Sequence, residues 1–252
     1  MPKEETRAEM PFLDHLEELR WRILWSLLAL LVGTLIGFWL VQRYDLLGLL
    51  KRPIEPFLPQ GRLYMTHPTD AFVITIKLAV LVGLVLAAPV LVWQAWAFFS
   101  PALFKREKRF LVPVLLSSLV LLAAGAALAY EWVLPAAFKI LLGFQRADIE
   151  PIITVDAYIG FAAQLVLAFG LAFQLPLVIM LLAALGVVTP AFLSKNRRYW
   201  IVIAALIAGI VTPTPDALTM LTMMVPLVLL YEVGIILARL VSRRKKEPDA
   251  DA

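Results

Sequence analysis

LAVLVGLVLAAPVLVWQAWAFFSPALF, residues 78–104, runs for 27 residues without a charge. Crossing a hydrocarbon core about 30 Å thick takes roughly 20 mainly apolar residues in a helix. This stretch therefore reads as a membrane span. Working outward, other uncharged runs cover 23–41, 110–130, 157–193, 199–215 and 217–231. With 62% hydrophobic and only 17% charged residues among 252, the chain lies far from the soluble average of about half apolar and a quarter charged. The expected fold is all-α: a polytopic membrane protein of six transmembrane helices, bent into a concave bundle, forming a single domain over 1–252. The spans are placed at 22–41, 71–97, 109–131, 156–184, 199–211 and 216–237. An amphipathic segment 1–21 leads in and a polar tail 240–252 follows.

Lys and Arg are retained in cytoplasmic loops, so their distribution orients the spans. One set of loops holds Lys3, Arg7, Arg20 and Arg22, then Lys105, Arg106, Lys108 and Arg109, then Lys195, Arg197 and Arg198, then Arg239, Arg243, Arg244, Lys245 and Lys246. The opposite set holds Arg43, Lys51, Arg52, Arg62, Lys77, Lys139 and Arg146. The first set is much the larger, which puts it and both termini in the cytoplasm. Residues 1–20 are polar and acidic, so no cleavable leader is expected and the first span serves as its own insertion signal.

Local chemistry marks the helix ends. Asp70 and Asp156 are expected to cap the outer ends of helices two and four, and Thr214-Pro215-Asp216 that of helix six. Pro89, Pro113, Pro176 and Pro226 each remove a backbone hydrogen bond, so bent helices are expected. Gly186 and Thr189-Pro190 are expected to end helix four. Between Arg198 and Thr212 lie 13 residues, about 20 Å of helix at ~1.5 Å per residue, which makes helix five short. Helix six looks similarly short up to Glu232, which is expected to reach the interface or pair with Arg239. Short spans thin the bilayer or are shielded by partners.

Catalytic chemistry is not evident. The chain has no cysteine, its two histidines (His15 and His67) fall on opposite faces, and no phosphate-cradling Gly-rich loop precedes a lysine. No cofactor and no metal are implied, and an enzyme is not expected. The cytoplasmic acids are more informative. Phe12, Leu16 and Leu19 form an apolar stripe, and Glu18 lies off it. Glu18 reads either as the i,i+4 ion-pair partner of Arg22 or as an acceptor for an incoming guanidinium. Glu107 is the lone acid in Lys105-Arg106-Glu107-Lys108-Arg109 and reads either as local neutralisation or as a second such acceptor. Inside the helices, Gln164 and Gln174 are the polar residues. Gln174 is expected first to bond within the protein, and alternatively to meet a partner helix or contact a water-filled groove.

His15-Leu16-Glu17-Glu18-Leu19-Arg20 resembles the HLxELR segment of TatC proteins, components of the twin-arginine translocase. Gln94 to Leu103 with Glu107 and Arg109 is similar to that family's first long cytoplasmic loop. Phe169-Gly170, Phe173 to Pro176 and Gly186 to Pro190 resemble its fourth helix, and Thr212 to Asp216 its last outer turn. The motifs fall in order across nearly the whole chain.

The resemblance implies a signal-peptide receptor and core translocase subunit in the inner membrane, exporting folded proteins with the proton motive force. Its partners would be twin-arginine signal peptides, single-span subunits of the TatA/TatB type and membrane lipid, in an oligomeric receptor complex without nucleic acid. It assigns Glu18 and Glu107 to the paired arginines, with Arg20 and Phe98 shaping that surface. It gives Gln174, Asp216, Pro53 and Tyr130 roles in partner contact or transport. Two positions depart: Gln174 stands where many relatives carry glutamate, and Met220 where a glutamine is expected. The competing readings are a small-solute secondary transporter and a membrane scaffold. The former wants ionisable groups near the midplane, which the helix cores lack.

Overall fold

The computed structural model describes residues 12–58, 61–99, 111–143, 152–211 and 217–246. In chain order these form α1 (Phe12–Arg43), α2 (Leu46–Lys51), a 3-10 segment (Arg52–Phe57), α3 (Asp70–Phe99), α4 (Leu111–Leu128), α5 (Leu134–Gly143), α6 (Val155–Ala172), α7 (Leu175–Ala184), α8 (Pro190–Lys195), α9 (Arg197–Val211) and α10 (Ala217–Lys246). A π-helical turn, Ala129–Val133, joins α4 to α5. Among the described residues there is no strand, only an isolated bridge between Tyr64 and Thr154. The fold is all-α.

Among the described residues, five segments are long and apolar enough to cross a membrane: Leu16–Arg43, Asp70–Phe98, Val112–Gly143, Val155–Ala184 and Met220–Ser242. The sixth apolar helix, α9, has 15 residues, about 22 Å at ~1.5 Å per residue. Helix five is thus short, as its sequence indicates. Helix six is not: α10 runs for 30 residues and carries Glu232 within it. The described part of the amphipathic segment, 12–21, is continuous with the first span, because α1 runs from Phe12 to Arg43 without a break.

Helix ends follow their local chemistry, with two corrections. Gly186 adopts φ +77°, a conformation that side chains with a Cβ resist, just beyond the end of α7. Thr189 then caps α8, accepting from the Phe192 N–H at 3.2 Å, with Pro190 as first helical residue. Helix four begins at a different cap from the one expected. Thr154 accepts from the Ala157 N–H, whereas Asp156 pairs with Lys77 of α3 at 2.5 Å. Asp70 also does not serve its own helix. Its Oδ2 accepts from the backbone N–H groups of Thr66 and His67, both at 2.8 Å, fixing the loop that leads into α3. Thr214-Pro215-Asp216 lies outside the described residues.

Pro89 and Pro226 sit inside α3 and α10, as their places in the sequence indicate. Pro176 instead opens α7 after helix four breaks at Phe173-Gln174, and Pro113 lies in the first turn of α4.

Burial centres on α6. Tyr158, Ile159, Ala162, Leu165 and Phe169 form the core with Ile54, Leu134 and Met223. The opposite extreme is the outer side of α1, where Trp21, Trp25, Leu28, Leu31, Leu35 and Trp39 are exposed. An apolar surface of that extent suits a lipid solvent.

Close packing of α1 on α3 rests on small residues. A methyl built on Gly37 would lie 2.4 Å from the Ala79 carbonyl oxygen, and one on Gly33 2.5 Å from that of Gly83. The two backbones touch there, as in small-xxx-small helix pairs in membranes.

Candidate functional site

Successive spans alternate in direction, so the start of α1, the end of α3, the start of α9 and the end of α10 share one face, called here the first face. Close contact between α1 and α3 brings Glu18 and Arg22 beside Gln94. The Nε and one terminal nitrogen of Arg22 donate to Glu18 Oε1, the former at 2.9 Å. The other terminal nitrogen donates to Gln94 Oε1 at 3.2 Å. Both charged side chains are 23% exposed. The i,i+4 pair read from sequence is therefore present. The reach across to α3 is not visible in the sequence, because it depends on how the two helices are rotated against each other.

Phe98 lies one turn beyond Gln94 and is half-buried, while Arg20 is exposed. Glu107 lies outside the described residues, in the connection that leaves α3 at Phe99. The structure thus brings Glu18, Arg22, Gln94 and Phe98 to one corner of the first face. Chemically, this corner presents a partly covered carboxylate whose Oε1 already accepts two N–H donors of one guanidinium.

A second polar group lies within the spans. Gln174, at the break between α6 and α7, accepts from the Ser118 hydroxyl and donates from Nε2 to the Ser118 carbonyl oxygen at 2.9 Å. Ser118 Oγ in turn accepts from the Trp96 indole N–H at 3.2 Å. Ser118 is 1% exposed, the one fully buried polar side chain among the described residues. Gln174 therefore bonds within the protein and ties three spans together. Sequence reasoning found Gln174 but missed Ser118 and Trp96, since a lone serine in an apolar run gives no directional signal. Replacing Ser118 with Ala strands the Gln174 oxygen and the Trp96 N–H. We expect it to destabilise the bundle by about 1–2 kcal/mol. Ser118→Ala combined with Gln174→Leu should recover part of that loss in a detergent melting assay.

On the face opposite, two tyrosines hold the first loop. Tyr130 donates to the Leu49 carbonyl oxygen and Tyr158 to that of Leu50, both at 2.5 Å. Pro53 is the second residue of the 3-10 segment that follows, with Ile54 next to it in the core and without exposed surface. Pro53 and Tyr130 are thus parts of one loop anchor. At the first face of α9 and α10, Glu232 pairs with Arg197 at 2.7 Å rather than with Arg239, which donates instead to Ser194. Gln164 reaches the Ile210 carbonyl oxygen at 3.4 Å, tying α6 to the far end of α9. Asp216 is outside the described residues. No group of three or more metal-ligating side chains occurs among the described residues.

Comparison with known proteins meets this geometry. The family model for the Sec-independent protein translocase protein (TatC) matches residues 14–226. The chain belongs to the TatC family. The TatC protein of Aquifex aeolicus is 43% identical over 240 residues, covering 94% of this chain and 98% of that protein. That of Escherichia coli is 35% identical over 230 residues, covering 91% and 88%. A crystal structure of the twin-arginine translocase receptor TatC superposes with a TM-score of 0.80 at 42% identity, over 90% of this chain and 99% of that one. TatC membership makes this a multi-pass membrane component of protein transport, not an enzyme.

Proposed function

We propose that this chain is the receptor for twin-arginine signal peptides on folded cargo, with Glu18 and Glu107 accepting the two guanidinium groups at the cytoplasmic face. The observation that carries the reading is the Glu18 carboxylate, held at the α1–α3 corner with its Oε1 already accepting two N–H donors of a guanidinium. Phe98 and Arg20 border that corner, the former as an apolar wall for the peptide and the latter as an exposed cation. The loop carrying Glu107 departs five residues beyond Gln94.

In this reading the first face is cytoplasmic, in the inner membrane, with both termini on that side. The basic residues Arg20, Arg22, Lys195, Arg197, Arg198 and Arg239 on it support the orientation. The apolar part of the signal peptide lies along the bundle. Single-span TatA/TatB-type subunits assemble against α9, whose Val202, Leu206 and Ile210 are exposed on a helix too short to span alone. Gln174, Asp216, Pro53 and Tyr130 serve assembly and transport, Pro53 and Tyr130 by fixing the outer loop. Export draws on the proton motive force, in an oligomeric receptor complex.

Photo-reactive side chains placed beside Glu18 and beside Glu107 test the site in native membranes. A twin-arginine peptide should crosslink from both positions, and a twin-lysine peptide from neither. Equal yields from the two peptides would sink the reading.

A further inference from the structure

We propose that Arg22 is a resident competitor at the signal-peptide site: its guanidinium occupies Glu18 in the empty receptor and must yield to an arginine of the incoming peptide. This inference rests on the receptor reading above and adds a specificity-determining residue to it.

Three features separate Arg22 from an ordinary surface ion pair. Its fork is used on both sides, Nε and one terminal nitrogen on Glu18 and the other terminal nitrogen on Gln94 of a different span. Both members of the pair are about three-quarters covered, where an exposed i,i+4 pair contributes little. The acceptor it holds is also the one a peptide guanidinium needs. A second cation at the same carboxylate meets repulsion from the first, so binding of the peptide includes the cost of loosening Arg22. Gln94 lowers that cost. Its neutral amide oxygen keeps one bond to Arg22 while the Glu18 bonds are given up, so the displaced side chain stays anchored through one terminal nitrogen and turns its Nε and other terminal nitrogen to water. A lysine in the peptide lacks the fork and competes poorly against a guanidinium already in place.

The inference has a sign that a merely structural role for Arg22 does not share. If Arg22 only props Glu18 in position, removing it weakens binding; if it competes, removing it strengthens binding. The experiment titrates fluorescent twin-arginine and twin-lysine signal peptides into the full chain in lipid nanodiscs. Arg22→Gln should lower the Kd for the twin-arginine peptide by about three- to tenfold, the range of one partly covered ion pair. Arg22→Lys, which keeps the charge and loses the fork, should lower it by less. Unchanged or weaker binding in these variants overturns the inference. Should Arg22→Gln fail to fold, Arg22→Lys decides on the same criterion. If the unmodified chain does not prefer twin arginine to twin lysine, the receptor reading itself fails and the competitor falls with it. If that preference holds and the variants do not bind more tightly, only the competitor is wrong.

Discussion

Gly37→Leu should abolish the stable fold, or lower its melting midpoint in detergent by more than about 10 °C. The Cβ alone would sit 2.4 Å from the Ala79 carbonyl oxygen, and that atom is backbone, unable to rotate away. The clash is reciprocal one turn along, where a Cβ on Gly83 would fall 2.5 Å from the Thr34 nitrogen. Backbone thus faces backbone along this contact, so α1 and α3 must separate to admit the new side chain. Overpacking a closed interface costs about 1–3 kcal/mol where side chains can yield, and more where they cannot. Because helix association in lipid depends on close van der Waals approach, widening this contact forfeits much of what holds α1 to the bundle. The same step would pull Arg22 away from Gln94, so the corner at Glu18 would open together with the interface. A matched control is Gly160→Ala on α6, whose added methyl meets nothing within 4 Å. It should melt at or above the unmodified chain, since Ala favours helix by up to about 1 kcal/mol over Gly. A Gly37→Leu protein that melts within about 2 °C of the original would show that α1 is not held by this contact.

Much of this architecture is written in the sequence because lipid imposes a simple rule. Every uncharged run long enough to cross must become a helix, and Gly186, Thr189 and Pro190 end or start helices through their own backbone chemistry wherever they fall. The Glu18–Arg22 pair is legible for the same reason, since residues four apart on one helix are neighbours by construction. What failed to show depends on the rotation of one helix against another. Arg22 could have faced lipid instead of Gln94. Asp156 could have capped its helix, but Lys77 of α3 lies within reach and Thr154 takes the cap instead. Glu232 has Arg239 seven residues along its own helix, yet Arg197 of α9 is closer across the contact. The Gly33-x3-Gly37 spacing did carry a signal, and it is the one long-range contact that a closer reading of α1 alone would have found. The candidate site was legible as residue types and family pattern. The sharing of the Arg22 guanidinium between Glu18 and Gln94 was not, because the bond to Gln94 is a property of two helices together.

Glu18→Gln combined with Glu107→Gln should cut twin-arginine peptide affinity by at least about 100-fold and abolish export. Glutamine keeps the size of glutamate, but it replaces one acceptor oxygen with an NH2 group that points donors at a guanidinium made only of donors. A hydrogen bond to a charged group contributes about 1.5–3 kcal/mol, so losing one carboxylate corresponds to roughly 10- to 100-fold in Kd. The two single variants should not be equal. Removing the Glu18 charge also frees Arg22, so the unmodified receptor's cost of displacing it disappears along with the acceptor. Glu107→Gln carries no such offset on the competitor reading and should weaken binding more than Glu18→Gln. Adding Arg22→Gln to Glu18→Gln should then change little, although Arg22→Gln alone tightens binding, and that non-additivity marks two residues acting at one acceptor. Peptide titration of these five variants in nanodiscs, with melting midpoints as a check on folding, reads all of this. A double carboxylate variant that folds normally and binds within about threefold of the original would mean that the paired arginines are recognised elsewhere on the chain.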